Sequence, residues 1–226
     1  MNKKIFIAIL LVICGVMFGV RVDADAANKT TKSKAVYTIK KNKKLLKGKK
    51  LKLEYRYDVP KLKGNSAVVK KINKSLSKEY NKEKNNTIID RYKDSVNTYR
   101  YKESWIDSKK CKCTYNENGY LSFKYHTKWF AGGVCNEQYY GKNYNLKTGK
   151  KLKLTDVMTG DSYEIKRRIA DAAVENGYSL IEDDIMGMNI SKFDFYLKNG
   201  SVTVCFPPYF SVLGNGHVEV TVGGDY

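Results

Sequence analysis

Four cysteines in the body of the chain, Cys111, Cys113, Cys135 and Cys205, are the residues best suited to covalent chemistry. An even number in an exported chain points to disulfides, with three pairings open. Cys111 and Cys113 alternate with Lys110, Lys112 and Thr114, so on a strand both face one way, too far apart to bridge each other easily. Each is expected to reach Cys135 or Cys205. Free thiols are the second reading. A metal centre would combine the Cys-x-Cys pair with Cys135 and His126, but tetrahedral zinc commonly uses C-x₂₋₄-C spacing, so no metal site is expected. A cysteine nucleophile needs a neighbouring base and an electropositive setting. The chain has two histidines, His126 and His217, so Cys135 beside one of them is the sole candidate for a cysteine-dependent envelope hydrolase. No H-E-x-x-H, G-x-S-x-G or P-loop pattern occurs. The acidic run Glu182-Asp183-Asp184 lacks the alternating ligand spacing of a calcium loop. The expectation is a noncatalytic protein without a cofactor.

Recognition chemistry has better material. Gly132 and Gly133 lie between two apparent strands, where paired glycines permit positive φ or close backbone approach. With Trp129, Phe130 and Cys135 they outline either a tight bend or a backbone-lined notch. Pro208, Tyr209 and Phe210 supply a second candidate loop within residues 207–216. Eighteen tyrosines offer rigid contact surface, though alternating Tyr55 and Tyr57 also suit a core.

Charge is the third signal. The 226 residues carry 42 Lys and Arg against 23 Asp and Glu, a formal net charge of +19. Residues 27–110 hold 26 basic and 8 acidic groups, whereas residues 111–226 hold 13 of each. Lys29–Lys52 contains 11 lysines and no acid, including Lys40, Lys41, Lys43, Lys44, Lys47, Lys49 and Lys50. Such a field suits anionic wall polymers or anionic lipid headgroups at a membrane surface, if it is more than a solvated lysine-rich face. Nucleic acid is not an expected partner, because the chain opens with an export signal. Lys3 and Lys4 precede an apolar run at residues 5–20, and Ala24-Asp25-Ala26 provides a cleavage site after Ala26. An uncleaved run would act instead as an N-terminal anchor. The run is 16 residues long, short of the roughly 20 that span a bilayer comfortably.

The elements that must position these groups read as antiparallel strands interrupted by two helices. Leu51, Leu53, Tyr55, Tyr57 and Val59 alternate with charged residues up to Pro60, which predicts a half-buried strand. A shorter strand is expected at 35–40. Val68, Val69, Ile72, Leu76 and Tyr80 recur at helical spacing. A polar connection containing Ile88, Ile89 and Tyr92 follows. Strands are expected at 99–106, 109–115, 120–129 and 138–146, with a turn at Asn118-Gly119. Thr155 caps a short turn. Asp161 and Glu164 form a capping box for a second helix with the stripe Ile165, Ile169, Ala172 and Ala173, ended by Gly177. Residues 193–197 and 202–206 form a hairpin, and 218–222 a last strand. The fold class is α+β, a largely antiparallel sheet with two main packed helices. The organisation reads as a signal peptide at 1–26, a basic segment at 27–49, a smaller lobe at 50–100 and a C-terminal domain at 101–226.

Residues 144–158, YNLKTGKKLKLTDVM, resemble the signature of an extracytoplasmic domain family that includes the sensor portion of the anti-sigma factor RsiV and a domain preceding certain peptidoglycan deacetylases. WFAGGVC at 129–135 and FYLKNGSVTVCFPPYFSVLGNGHVEVTV at 195–222 resemble further family segments. KLEYRYDVPKLKG and VVKKINKSL resemble the partner domain that often precedes it. Cys135 stands where the family usually has histidine, and Phe210 where an acid is common. The resemblance implies an extracytoplasmic binding domain, and its RsiV-like members sense lysozyme. A lysozyme is itself strongly basic and would meet like charge here. The leading expectation is therefore a secreted or cell-surface protein that binds or scaffolds envelope components, using the lysines for anionic polymer and the two loops for shape. The alternative is a sensor or inhibitor of a secreted protein.

Overall fold

The computed structural model describes residues 34–210 and 216–226, and Ser33–Tyr226 form a compact unit. The expected export signal, the first lysines of the basic segment and residues 211–215 of the second loop lie outside the described residues.

Strand β1 (Tyr37–Lys47) pairs antiparallel with β2 (Leu51–Leu62). After helices α1 (Ala67–Glu83) and α2 (Ile88–Tyr92), strand β3 (Glu103–Glu117) returns parallel to β2. Strands β4 (Tyr120–Ala131) and β5 (Val134–Asn145) complete a five-stranded sheet in the order β1-β2-β3-β4-β5. Helices α3 (Ser162–Glu175) and α4 (Glu182–Gly187) then lead to strands β6 (Asp194–Lys198), β7 (Ser201–Phe206) and β8 (Val218–Gly223), which form a second, antiparallel sheet. The architecture is α+β, with two main packed helices and two mostly antiparallel sheets. Among the described residues no helix is long and apolar enough to cross a membrane.

Three hairpin turns set the registers. Asn118-Gly119, Gly132-Gly133 and Asn199-Gly200 all have positive φ at both loop positions, the conformation that matches the right-handed twist of the flanking strands. A β-carbon on Gly132 would lie 2.8 Å from the Trp105 ring, so this position also needs glycine for close approach.

Helix α1 buries Ile72 and Leu76 on the sheet. Its Asn73 side chain accepts from Leu62 N (2.8 Å) and donates to Leu62 O (2.9 Å), acting as an extra strand partner for the end of β2. Helix α3 has the expected Asp161–Glu164 capping box and packs Ile165, Ile169, Ala170 and Ala173 against the second sheet. Ala170 takes the fully buried place expected of Ala172, which is only partly buried. A polar cluster ties the two sheets together. Ser122 Oγ donates to Asn143 Oδ1 (2.7 Å) and accepts from Leu197 N (2.9 Å), while Asn143 Nδ2 donates to Phe195 O (2.6 Å).

Several expectations change. The basic segment is a paired strand as far as Lys47, beyond the short strand expected at 35–40, and the β2–β3 pairing puts strands from either side of residue 100 in one sheet. The strands expected at 99–106 and 109–115 are one strand. The connection at 88–92 is a helical turn capped by the buried Thr87, whose side chain and that of Asp90 form a capping box. Thr155 lies inside a short 3₁₀ turn that begins after Lys153, so it is not the cap.

Candidate functional site

Register decides which side chains share a face. Across the five-stranded sheet, Lys44, Tyr55, Asp107, Trp129 and Asn136 are successive cross-strand partners, and Asn42, Tyr57, Lys109, Thr127 and Gln138 form the next row. These rows lie on the face that α1 and α2 cover. Helix α1 ends at Glu83 and α2 starts beyond Thr87, so the elbow between them leaves the rows partly uncovered. The result is a cleft of about 540 Å³, within the range of small-molecule sites. Its floor is Tyr55, Asp107, Lys109 and Trp129, one wall is Glu79, Lys82, Glu83, Asn86 and Arg91, and Asn136, Gln138, Tyr140 and Lys142 close the β5 side.

Most charges in the cleft are already paired. Lys109 bonds Glu83, Lys142 bonds Glu79 at 2.7 Å, and Arg91 Nε donates to Asn86 Oδ1 at 2.9 Å. Burial lowers the Lys109 ammonium to about 8, against the attraction of Glu79 and with added repulsion from Lys142. Burial raises the Asp107 carboxyl, opposed by a hydrogen bond from the Ile88 backbone N–H and by Arg91. Tyr55 is 2% exposed, and its hydroxyl has no hydrogen-bond partner among the described residues. Buried polar groups are nearly always satisfied, so this hydroxyl is the outlier of the cleft.

The residues singled out from sequence do not form one site. Trp129 lines the cleft, half-buried beside Tyr92. Phe130 and Cys135, cross-strand partners, alternate onto the opposite face. Gly132 and Gly133 make the tight hairpin turn. Pro208, Tyr209 and Phe210 follow β7 of the other sheet, where Phe210 packs on Phe206 at 4.7 Å and Tyr209 is 78% exposed at φ 67°. The seven lysines do not form one patch. Lys40 and Lys44 alternate with Lys41, Lys43 and Lys47 along β1, while Lys49 and Lys50 lie in the β1–β2 connection. All seven are exposed, and β1 is an edge strand, where lysine blocks pairing with another chain.

The expected disulfides are absent: all four cysteines are free. Cys111 and Cys113 pair with Tyr125 and Phe123 on the helix-covered face. Cys205 lies 3.9 Å from Glu219, the carboxylate that Lys124 reaches from the other face of the sheet. Cys135 is five residues along β5 from Tyr140, the partner of Tyr125, or ~17 Å of strand, against the ~7 Å limit for a disulfide. The Cys135–histidine arrangement is not assembled either. His126 stacks on Tyr139 at 4.5 Å and bonds Glu137 at 2.5 Å, while His217 meets the same tyrosine at 4.4 Å. Cys135 is four residues from Tyr139, ~13 Å along the strand. Among the described residues no group of three or more His, Cys, Asp or Glu side chains could hold a metal ion.

The cleft residues Tyr55, Asp107, Lys109, Asn136 and Gln138 are not visible as a group in the sequence. Their signal is parity: each takes the inward position of its strand, but only the strand order joins them.

Comparison with known proteins bears on the same region. A family model described as "Deacetylase PdaC" matches residues 46–134, which contain every cleft residue except Asn136, Gln138, Tyr140 and Lys142. No curated protein matches the chain. Two solved structures share the fold. A member of the DUF3298 family from Bacteroides fragilis NCTC 9343 aligns with a TM-score of 0.61 and 13% identity over 85% of this chain and 92% of that one. A DUF3298 family protein from Pseudomonas aeruginosa PAO1 aligns with a TM-score of 0.56 and 12% identity over 85% and 92%.

Proposed function

We propose that this chain is an exported, noncatalytic recognition protein that binds an extracytoplasmic ligand at the cleft between the α1–α2 elbow and the five-stranded sheet. The observation that carries this reading is the Tyr55 hydroxyl, buried with no partner of its own at the floor of a cleft where Glu79, Glu83, Lys109 and Lys142 pair with one another. A bound group supplying that partner removes a cost of roughly 1–3 kcal/mol. The resemblance to RsiV-like domains and the match of residues 46–134 to the deacetylase model support a location outside the cell.

A discrete site favours sensor-like recognition over coating of anionic polymer. The lysines that would drive coating are divided between the two faces of an edge strand, and their alternation there has a sufficient cause in protecting that edge.

Co-sedimentation with envelopes of the producing organism separates the two modes. Recognition at the cleft predicts binding that survives ~0.5 M salt, where the Debye length is only about 4 Å. It also predicts loss on Trp129→Ala and retention in a Lys40→Gln, Lys41→Gln, Lys47→Gln variant. Binding that collapses with salt and follows the lysines would overturn it.

A further inference from the structure

We infer that the cleft takes a neutral glycan, seating an N-acylated hexose over Tyr55 and Trp129. This rests on the reading of the cleft as the recognition site. Glu79, Glu83, Lys109 and Lys142 are spent on one another, so a ligand need bring no net charge to satisfy the interior. The cationic groups outside those two pairs, Lys82, Arg91 and Lys128, belong to the wall and rim.

The unspent groups are of both hydrogen-bonding kinds. Tyr55 has its hydroxyl free, and the Asn136 and Gln138 side-chain amides make no hydrogen bond among the described residues. Each amide can donate and accept at once. They lie in adjacent rows of the sheet, two residues apart on β5, with Trp129 cross-strand from Asn136. A half-buried indole beside alternating donors and acceptors complements a pyranose ring, which has apolar C–H faces and hydroxyl edges. At the floor, Tyr55 calls for an acceptor, and its cross-strand neighbour Asp107 is itself an acceptor. An acetamido group answers both, its carbonyl accepting from Tyr55 and its N–H donating to Asp107. The volume of about 540 Å³ accommodates one or two sugar rings.

The N-acetylglucosamine trimer is the probe. The chain has two tryptophans, Trp105 and Trp129, and both lie in this region of the sheet, so intrinsic fluorescence reports occupancy directly. Titration of the purified protein is expected to give a saturable change below 10 mM that persists in ~0.5 M salt, as a neutral ligand requires. Tyr55→Phe, which removes one oxygen and leaves the ring, is expected to weaken binding at least tenfold while raising the melting temperature of the unliganded protein. A residue with only a packing role would not move those two readouts in opposite directions. Trp129→Ala is expected to abolish binding, and the Tyr55 variant keeps the test valid if that substitution fails to fold. No saturable change, or equal affinity in Tyr55→Phe, would overturn the glycan assignment. If envelopes still bind in a Trp129-dependent, salt-resistant way while the trimer does not, the glycan is wrong and the recognition site stands. If both fail, both are wrong.

Discussion

Removing the Ser122 hydroxyl should partly uncouple the two sheets. Ser122 is fully buried, and its oxygen donates to Asn143 Oδ1 and accepts from Leu197 N. Ser122→Ala therefore leaves one buried acceptor and one buried donor without their partner, while the Thr114 hydroxyl, which also donates to Ser122 Oγ, keeps its contact with the Ser122 carbonyl. Each orphaned group costs about 1–3 kcal/mol, and because Asn143 keeps its bond to Phe195 O, a sum near 3 kcal/mol is the working figure. A single chain of this size melts ~2–4 °C lower per kcal/mol, so the midpoint should fall by roughly 6–12 °C. Thermal and urea unfolding measure the loss. Hydrogen exchange measures its place, and the Leu197 amide should exchange much faster than amides in β4. Ser191→Ala, on an exposed turn, serves as the control. A loss below ~0.5 kcal/mol, the usual scatter for surface substitutions, would refute the reasoning that this cluster joins the sheets.

Three further outcomes follow from the same geometry. Burial raises Tyr37, Tyr144 and Cys111 to about 12, and pushes Tyr55, Tyr57, Tyr125 and Tyr140 higher still. An acid whose folded pKa is raised stays protonated after its unfolded counterpart ionises, so Cys111 lowers stability from about pH 8.5 and the six tyrosines make it fall steeply past pH 10. Lys109, lowered to about 8, pulls the other way between about pH 8 and 10.4 and offsets Cys111 there, whereas past pH 10 it is one group against six tyrosines; a flat denaturation midpoint from pH 10 to 11 would contradict the buried placement of these side chains. Cys135, exposed, should react with an aromatic disulfide reagent at least tenfold faster than buried Cys205, and fewer than four titratable thiols in Cys111–Cys205 of the unreduced, denatured protein would mean that a bridge forms after all. Replacing Lys40, Lys41 and Lys47 together with threonine should lower solubility severalfold by light scattering while moving the melting temperature by under ~2 °C, because these lysines guard an edge rather than fill a core.

What was legible in the sequence was local. Strict alternation from Leu51 to Tyr57 marks β2, the Asp161–Glu164 box marks α3, and Asn118-Gly119 and Asn199-Gly200 mark their hairpins. Strand β1 is harder to read because lysine occupies both parities, so residues 40–47 look like a solvated tail when they are an edge strand. Helix α2, five residues long, is too short for a helical period to emerge. The parallel β2–β3 pairing joins residues about 50 positions apart with two helices between, and nothing in either strand specifies that partner. The cleft is hidden for the same reason. Tyr55 and Asp107 meet only through that pairing, and Asp107 and Lys109 resemble ordinary surface charges until α1 and α2 are laid over them. The glycine pair at 132–133 shows the converse, a conspicuous local motif whose role is the turn itself.

The proposed recognition occurs at the cleft rather than along the lysine-rich edge. Differential hydrogen exchange, with and without solubilised envelope material from the producing organism, tests it most directly. Slowed exchange is expected in the α1–α2 elbow at residues 84–88 and in β5 around Asn136–Gln138, with β1 unchanged. Slowed exchange confined to Tyr37–Lys47, with the elbow unaffected, would contradict it.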